Sequence, residues 1–142
     1  MDDACYPLEF LYDGHCRICL FDVAWLRKGD TRGRLVFIDI TAPSFDPAPY
    51  GRTVDALLER IHARRADGTV VEGPEVFRLA LTANGWGWAV APTRWPVAAW
   101  ITERAYRWFA RHRVELSQRF GGVFARMTPS CEADGSCRVY RR

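Results

Sequence analysis

Between Leu8 and Leu26 the hydrophobic period of the chain changes once, and two cysteines sit at the change. Leu8 to Tyr12 is a short apolar run of strand character, and Asp13-Gly14 behind it is a turn dipeptide. From Cys16 the positions Cys16, Cys19, Leu20, Val23 and Leu26 recur at three and four, which is one face of a helix that Gly29 would end. The segment therefore predicts a strand, a loop and a helix, with Cys16 and Cys19 in the first helical turn. Spacing of three brings both sulfurs to one face, and the unpaired N–H groups and dipole of a helix start favour negative charge on the first thiol. Thiol exchange needs that charge, because only a thiolate attacks a disulfide. Metal binding and plain burial are the other uses of the same spacing.

On the exchange reading, Cys16 is the attacking thiol, expected to be the more exposed and more acidic of the two. Cys19, one turn deeper and turned toward the core, is the resolving thiol. Arg17 and His15 would add positive charge near Cys16, and Asp13 would oppose them if it pointed inward. Asp13 has two readings: a turn residue whose carboxylate caps the helix, or the proton acceptor for the buried thiol.

The rest of the chain alternates in type. "RLVFIDI" at 34–40 reads as a strand buried on both faces, parallel to the first because a helix intervenes. Thr53 to Arg60 reads as a short helix with Val54, Leu57, Leu58 and Ile61 inward. Asp67-Gly68 predicts a hairpin with a type I′ turn. Pro74 suits a first helical position, and Val76, Phe77, Ala80 and Leu81 carry that helix to Asn84-Gly85. The order β-α-β-α-β-β-α is that of a thioredoxin-like α/β domain. Beyond it, Pro96 starts a long amphipathic helix with Val97, Ile101, Ala105, Trp108 and Leu116 on one stripe and Arg104, Arg107 and Arg111 largely off it, ending at Gly121-Gly122. One domain over 1–142 is expected, with an N-terminal tail at 1–7, the helical extension at 96–122 and a cysteine-containing tail at 123–142.

Composition narrows the function classes. Lys28 is the single lysine among 20 basic residues, and the arginines are scattered among acids at a net charge of +3, so no nucleic-acid partner is expected. "MDDACYPLEF" has no apolar run of a secretory leader, and "WGWAVAPTRWPVAAWI" is too short and too interrupted to span a bilayer, so a cytoplasmic protein without a transmembrane segment is expected. The arginine- and tryptophan-rich helix is read first as a solvated face, with peripheral contact to a membrane surface or a partner as its other use. Five cysteines, an odd number without an export signal, argue against a secreted disulfide scaffold. Cys131 and Cys137 flank an Asp134-Gly135 turn and could form a local disulfide or relay, add to Cys16 and Cys19 as a four-thiolate zinc site, or have no joint role.

Asp13-Gly14-His15-Cys16-Arg17-Ile18-Cys19 resembles the Asp-x-x-Cys-x-x-Cys signature of the DCC family of thiol-disulfide oxidoreductases, in which a tyrosine or similar residue precedes Asp-Gly as Tyr12 does. "DGTVVEG" and "AYRWFARHRVELSQRFG" look like that family too, so the resemblance covers roughly Phe10 to Gly121. It implies a thioredoxin-like domain with Cys16 attacking and Cys19 resolving, and no known substrate. The expected site adds Asp13 to the catalytic pair and Tyr12, Gly14, His15 and Arg17 as contacts to a protein or low-molecular-weight thiol or disulfide substrate, with no cofactor or metal. Unlike ordinary thioredoxins, the chain has no proline between Glu59 and Gly68, where a cis-proline would face the active site. The alternatives are a zinc-binding structural module built on Cys16, Cys19, Cys131 and Cys137, or a non-catalytic adaptor acting through the C-terminal helix.

Overall fold

The computed structural model describes residues 3–127 and the short strands 130–131 and 137–138. Strand β1 (Leu8–Tyr12) leads through the Asp-Gly loop into helix α1 (Arg17–Gly29), which returns the chain to β2 (Leu35–Asp39). Helix α2 (Val54–Glu59), β3 (His62–Arg64), β4 (Val70–Glu72) and α3 (Pro74–Ala83) follow. A single turn, α4 (Gly87–Val90), precedes the long helix α5 (Pro96–Met127). The sheet order is β2-β1-β3-β4, with β1 and β2 parallel and the other pairings antiparallel. This is a mixed α/β fold of the thioredoxin-like kind.

Local chemistry sets most of these boundaries. The Thr53 hydroxyl accepts the Ala56 N–H at 3.2 Å and starts α2, and Pro74 fills the first turn of α3, where no intrahelical N–H is needed. In the β3–β4 hairpin Gly68 N–H donates to Arg65 O and Arg65 N–H to Thr69 O, so the loop spans three residues and only Gly68 takes a positive φ, 87°. The turn is therefore not type I′, which would need a second positive φ at Asp67.

Central strand β1 is covered on both faces. Leu8 and Phe10 enter the larger core with Val23, Leu26, Ala63, Val76 and Ala80, where the Phe10 ring meets Phe37 and Phe77. Leu11 enters a second cluster with Ile40, Tyr50 and Leu57. Glu9, beside Leu11, is held by a two-pronged bond from Arg64, 2.8 Å at each oxygen. β2 is not buried on both faces as its four apolar residues suggest: it is an edge strand, and Val36 is 43% exposed.

Helix α5 departs furthest from expectation. It continues past Gly121-Gly122 to Met127, and the stripe expected to face inward faces out: Val97, Ile101, Ala105 and Trp108 are exposed and Leu116 half-buried. The inward face is Thr102, Tyr106, Phe109, Arg113, Ser117 and Gly121. The reason lies in what α5 covers. The Tyr106 hydroxyl accepts the Ile61 N–H at 2.8 Å, Arg113 donates to Leu58 O, and Ser117 Oγ accepts the Arg17 N–H at 3.2 Å. An apolar stripe laid there would leave three backbone groups without partners, at about 1–3 kcal/mol each, so the polar face turns in. The bound Ile61 amide also lies just before β3, where an ordinary thioredoxin places its cis-proline; the cis peptide among the described residues is elsewhere, at Tyr6–Pro7. Beyond α5, Cys131 and Cys137 stand opposite each other in a two-stranded ladder, β5 (Ser130–Cys131) with β6 (Cys137–Arg138).

Candidate active site

The loop after β1 is drawn tight by two carboxylates. Asp13 Oδ1 accepts the His15 N–H at 2.8 Å, and Asp39, at the end of β2, accepts the Gly14 N–H at 3.1 Å. Burial opposes ionisation of Asp39, yet hydrogen bonds from Thr41 and Gly14 hold its carboxyl below the usual range. A Cβ on Gly14 would stand 2.1 Å from Asp39 Oδ2, so this position requires glycine for close approach. Gly14→Ala is expected to destabilise the fold by about 1–3 kcal/mol and to shift the loop carrying Cys16, which a denaturant titration and the Cys16 alkylation rate would both register.

Cys16 is the N-cap of α1. Its Sγ accepts the Cys19 N–H at 3.3 Å, the place where a helix start offers an unpaired donor. The Cys19 thiol donates to the same sulfur, and together with that amide and the Arg113 guanidinium it outweighs burial and the Asp13 charge, lowering the Cys16 pKa to about 6. The same hydrogen bond, seen from Cys19, combines with burial to push that thiol far above the ordinary range. The pair thus shares one proton, held by Cys19.

Two features differ from sequence expectation. By residue surface Cys16 is the less exposed, 7% against a half-buried Cys19; α5 crosses the start of α1 and brings Ser117 to the Arg17 amide. Arg17 and His15 are not the cations that lower Cys16; the contributing cation is Arg113. The Arg17 guanidinium reaches toward Gly121 O at 3.4 Å, and His15 is exposed beside Asp13. Tyr12 ends β1 half-buried.

Behind Cys19 lies a cavity of about 30 Å³, room for one or two waters. Cys19, Asp22, Tyr12, Asp13, Tyr106 and Arg113 are among its lining residues. Asp22 was not singled out by the sequence, although it is three residues beyond Cys19 on the same helix, which puts both on one face. Its carboxylate has no hydrogen bond or ion pair with another described residue, and burial, with the nearby Cys16 charge, raises its pKa to about 7. Arg113, Ser117 and Gly121 were missed as well, though their spacing of four places them on one face of α5 and all three fall within the "RHRVELSQRFG" segment. A Cβ at Gly121 would meet the Arg17 side chain at 3.0 Å and would press it aside by a few tenths of an ångström.

Among the described residues no group of three or more His, Cys, Asp or Glu is placed to hold a metal ion. The side chains of Cys131 and Cys137, which the four-thiolate zinc reading needs, lie outside the described residues.

The chain is 28% identical over 116 residues to an uncharacterized chloroplastic protein of Arabidopsis thaliana, an alignment covering 80% of this chain and 54% of that protein, so the chain spans about half the length of the curated relative it matches. No solved structure matches it. The model of the DCC1-like thiol-disulfide oxidoreductases matches residues 10–119, from the middle of β1 through the stretch of α5 that covers the cysteine pair, and the chain belongs to that family.

Proposed function

We propose that this chain, working as one thioredoxin-like domain with α5 as its extension, exchanges thiols and disulfides through Cys16 and Cys19. The observation that carries the reading is the N-cap position of Cys16, whose sulfur accepts the Cys19 N–H at the start of α1. The Cys16 thiolate attacks one sulfur of a substrate disulfide, forming a mixed disulfide and releasing the other sulfur as a thiolate. Cys19 then loses its proton and attacks Cys16 Sγ. The substrate's remaining sulfur leaves as a thiolate, the substrate is reduced by two electrons, and Cys16 and Cys19 are oxidised to a disulfide.

Cys19 needs a proton acceptor for its attack. Asp22 serves: it borders the same cavity, its carboxylate has no competing partner among the described residues, and its pKa of about 7 suits proton transfer near neutrality. A water in the cavity would carry the proton between them. Asp13 holds the loop through His15 and tempers the acidity of Cys16. Around the motif, His15 and Arg17 form the outer rim for substrate, with Tyr12 and Gly14 behind them. Because α5 leaves Cys16 only 7% exposed, the disulfide that reaches it is carried on a narrow group, a small thiol compound or an extended loop.

The test is reversible oxidation with thiol counting and mass mapping, followed by alkylation of the reduced protein against pH. A Cys16–Cys19 bridge is expected, with Cys16 modified first and a midpoint near 6. No bridge at any accessible potential, or preferential labelling of Cys19, would rule the assignment out.

A further inference from the structure

The inward face of α5 is engaged by the cysteine site, which leaves its apolar stripe open. Trp100, Ile101 and Trp108 are each more than half exposed, Val97 is 73% exposed, and the preceding turns add Trp86, Trp88 and Trp95 at 56%, 76% and 71%. The charge pattern matters as much as the apolar area. From Gly85 to Arg111 every exposed residue is either apolar or arginine. The one acid in that stretch, Glu103, is half-buried and paired with Arg60 and Arg107. The guanidinium groups of Arg104 and Arg111 have no hydrogen bond or ion pair with another described residue, and that of Arg104 lies over the Trp100 ring, 5.2 Å from its centre.

We propose that this surface docks the protein on the headgroup region of an anionic lipid bilayer. Tryptophan is the side chain that settles at that boundary, with its ring in the acyl margin and its N–H among the headgroups. Arginine supplies forked donors, and lipid phosphates can meet them at whatever spacing the helix presents. A protein partner would need acceptors matched to each guanidinium, whereas the exposed side chains here offer no uncharged hydrogen-bonding groups apart from the indole N–H to fix a register. No helix of the described residues is long and apolar enough to cross a membrane, so the contact lies on the surface. The cysteine pair remains on the other face of α5.

The experiment is co-sedimentation of the full reduced chain with vesicles of phosphatidylcholine alone and of equal phosphatidylcholine and phosphatidylglycerol, with tryptophan emission read in parallel. Binding to the anionic vesicles with a blue shift, weakening as salt rises, is expected. Arg104→Ser and Arg111→Ser should each weaken binding roughly fivefold at low salt, and Trp95→Ser with Trp100→Ser should weaken binding and reduce the blue shift, while the Cys16 alkylation midpoint stays unchanged as a check on folding. Absence of binding to either vesicle, binding indifferent to both sets of substitutions, or concentration-dependent self-association in place of vesicle binding would overturn the proposal.

Discussion

Cys19→Ser is expected to accumulate a mixed disulfide with substrate, while Cys16→Ser captures nothing. The asymmetry follows from the division of labour in the first turn of α1. Cys16 holds the charge, so external attack survives loss of Cys19; in Cys16→Ser the Cys16 charge that raises Cys19 is gone, but burial still keeps the Cys19 thiol protonated at neutral pH, so it does not attack in place of Cys16. Serine keeps an O–H donor toward Cys16 Sγ, and Cys19→Ser should retain an acidic Cys16. Cys19→Ala removes that donor, the largest contribution to the shift, and should move the alkylation midpoint up toward the free-thiol value of about 8.5. Capturing with an oxidised small thiol and with an extended disulfide-bearing peptide, then resolving the adducts by mass, also reports which fits beneath α5. Equal capture by both single variants would end the attacking and resolving assignment. In the zinc-module alternative, either substitution would cost metal and stability alike. An adaptor would be indifferent to both.

The second large effect is expected at Asp22. A carboxyl whose folded pKa is raised, here to about 7 against an unfolded value of about 3.9, contributes stability that is fully present below pH 4 and is lost as pH rises to about 7. Asp22→Asn keeps the shape and has no charge to bury, so it should match the parent protein near pH 4 and become progressively more stable than it up to pH 7. Above that the gain levels off, on the order of 2 kcal/mol after allowing for partial exposure. Function should move the opposite way. The resolving step loses its acceptor, so mixed disulfides should persist longer and the rise in resolution rate near pH 7 should disappear, while the Cys16 alkylation rate changes little. Denaturant titrations across pH together with single-turnover release of the substrate thiol would show both. A variant less stable than the parent at pH 8, or one that resolves as fast, would remove Asp22 from the mechanism.

The cysteine pair itself was legible because its signals are short-range. A change of hydrophobic period, an Asp-Gly turn and a spacing of three place Cys16 and Cys19 at a helix start without reference to the rest of the chain. The elements after them were legible for the same reason, from the Thr53 cap to Pro74. The hairpin was found but its turn type was not, because Asp67-Gly68 permits both a two-residue and a three-residue loop and the choice depends on strand register. Asp22 was legible in principle, three residues beyond Cys19. What marks it out is the lack of a partner for its carboxylate beside a cavity, and that property belongs to the packing around it.

Sequence by itself determined the order of elements, the thiol pair and the family, since each rests on residues within a few positions of one another or on a motif with fixed spacing. Only the tertiary structure decided what surrounds the thiols. Ser117 meets the Arg17 amide across 100 residues of chain, and Arg113 reaches both the cysteines and Leu58. Hydrophobic periodicity pointed to the other face of α5, because it measures only the gain from burying apolar side chains. The orientation was settled by the cost of leaving the backbone groups of Arg17, Leu58 and Ile61 unpaired at a covered surface, and that cost exists only once the strand ends and helix starts have come together.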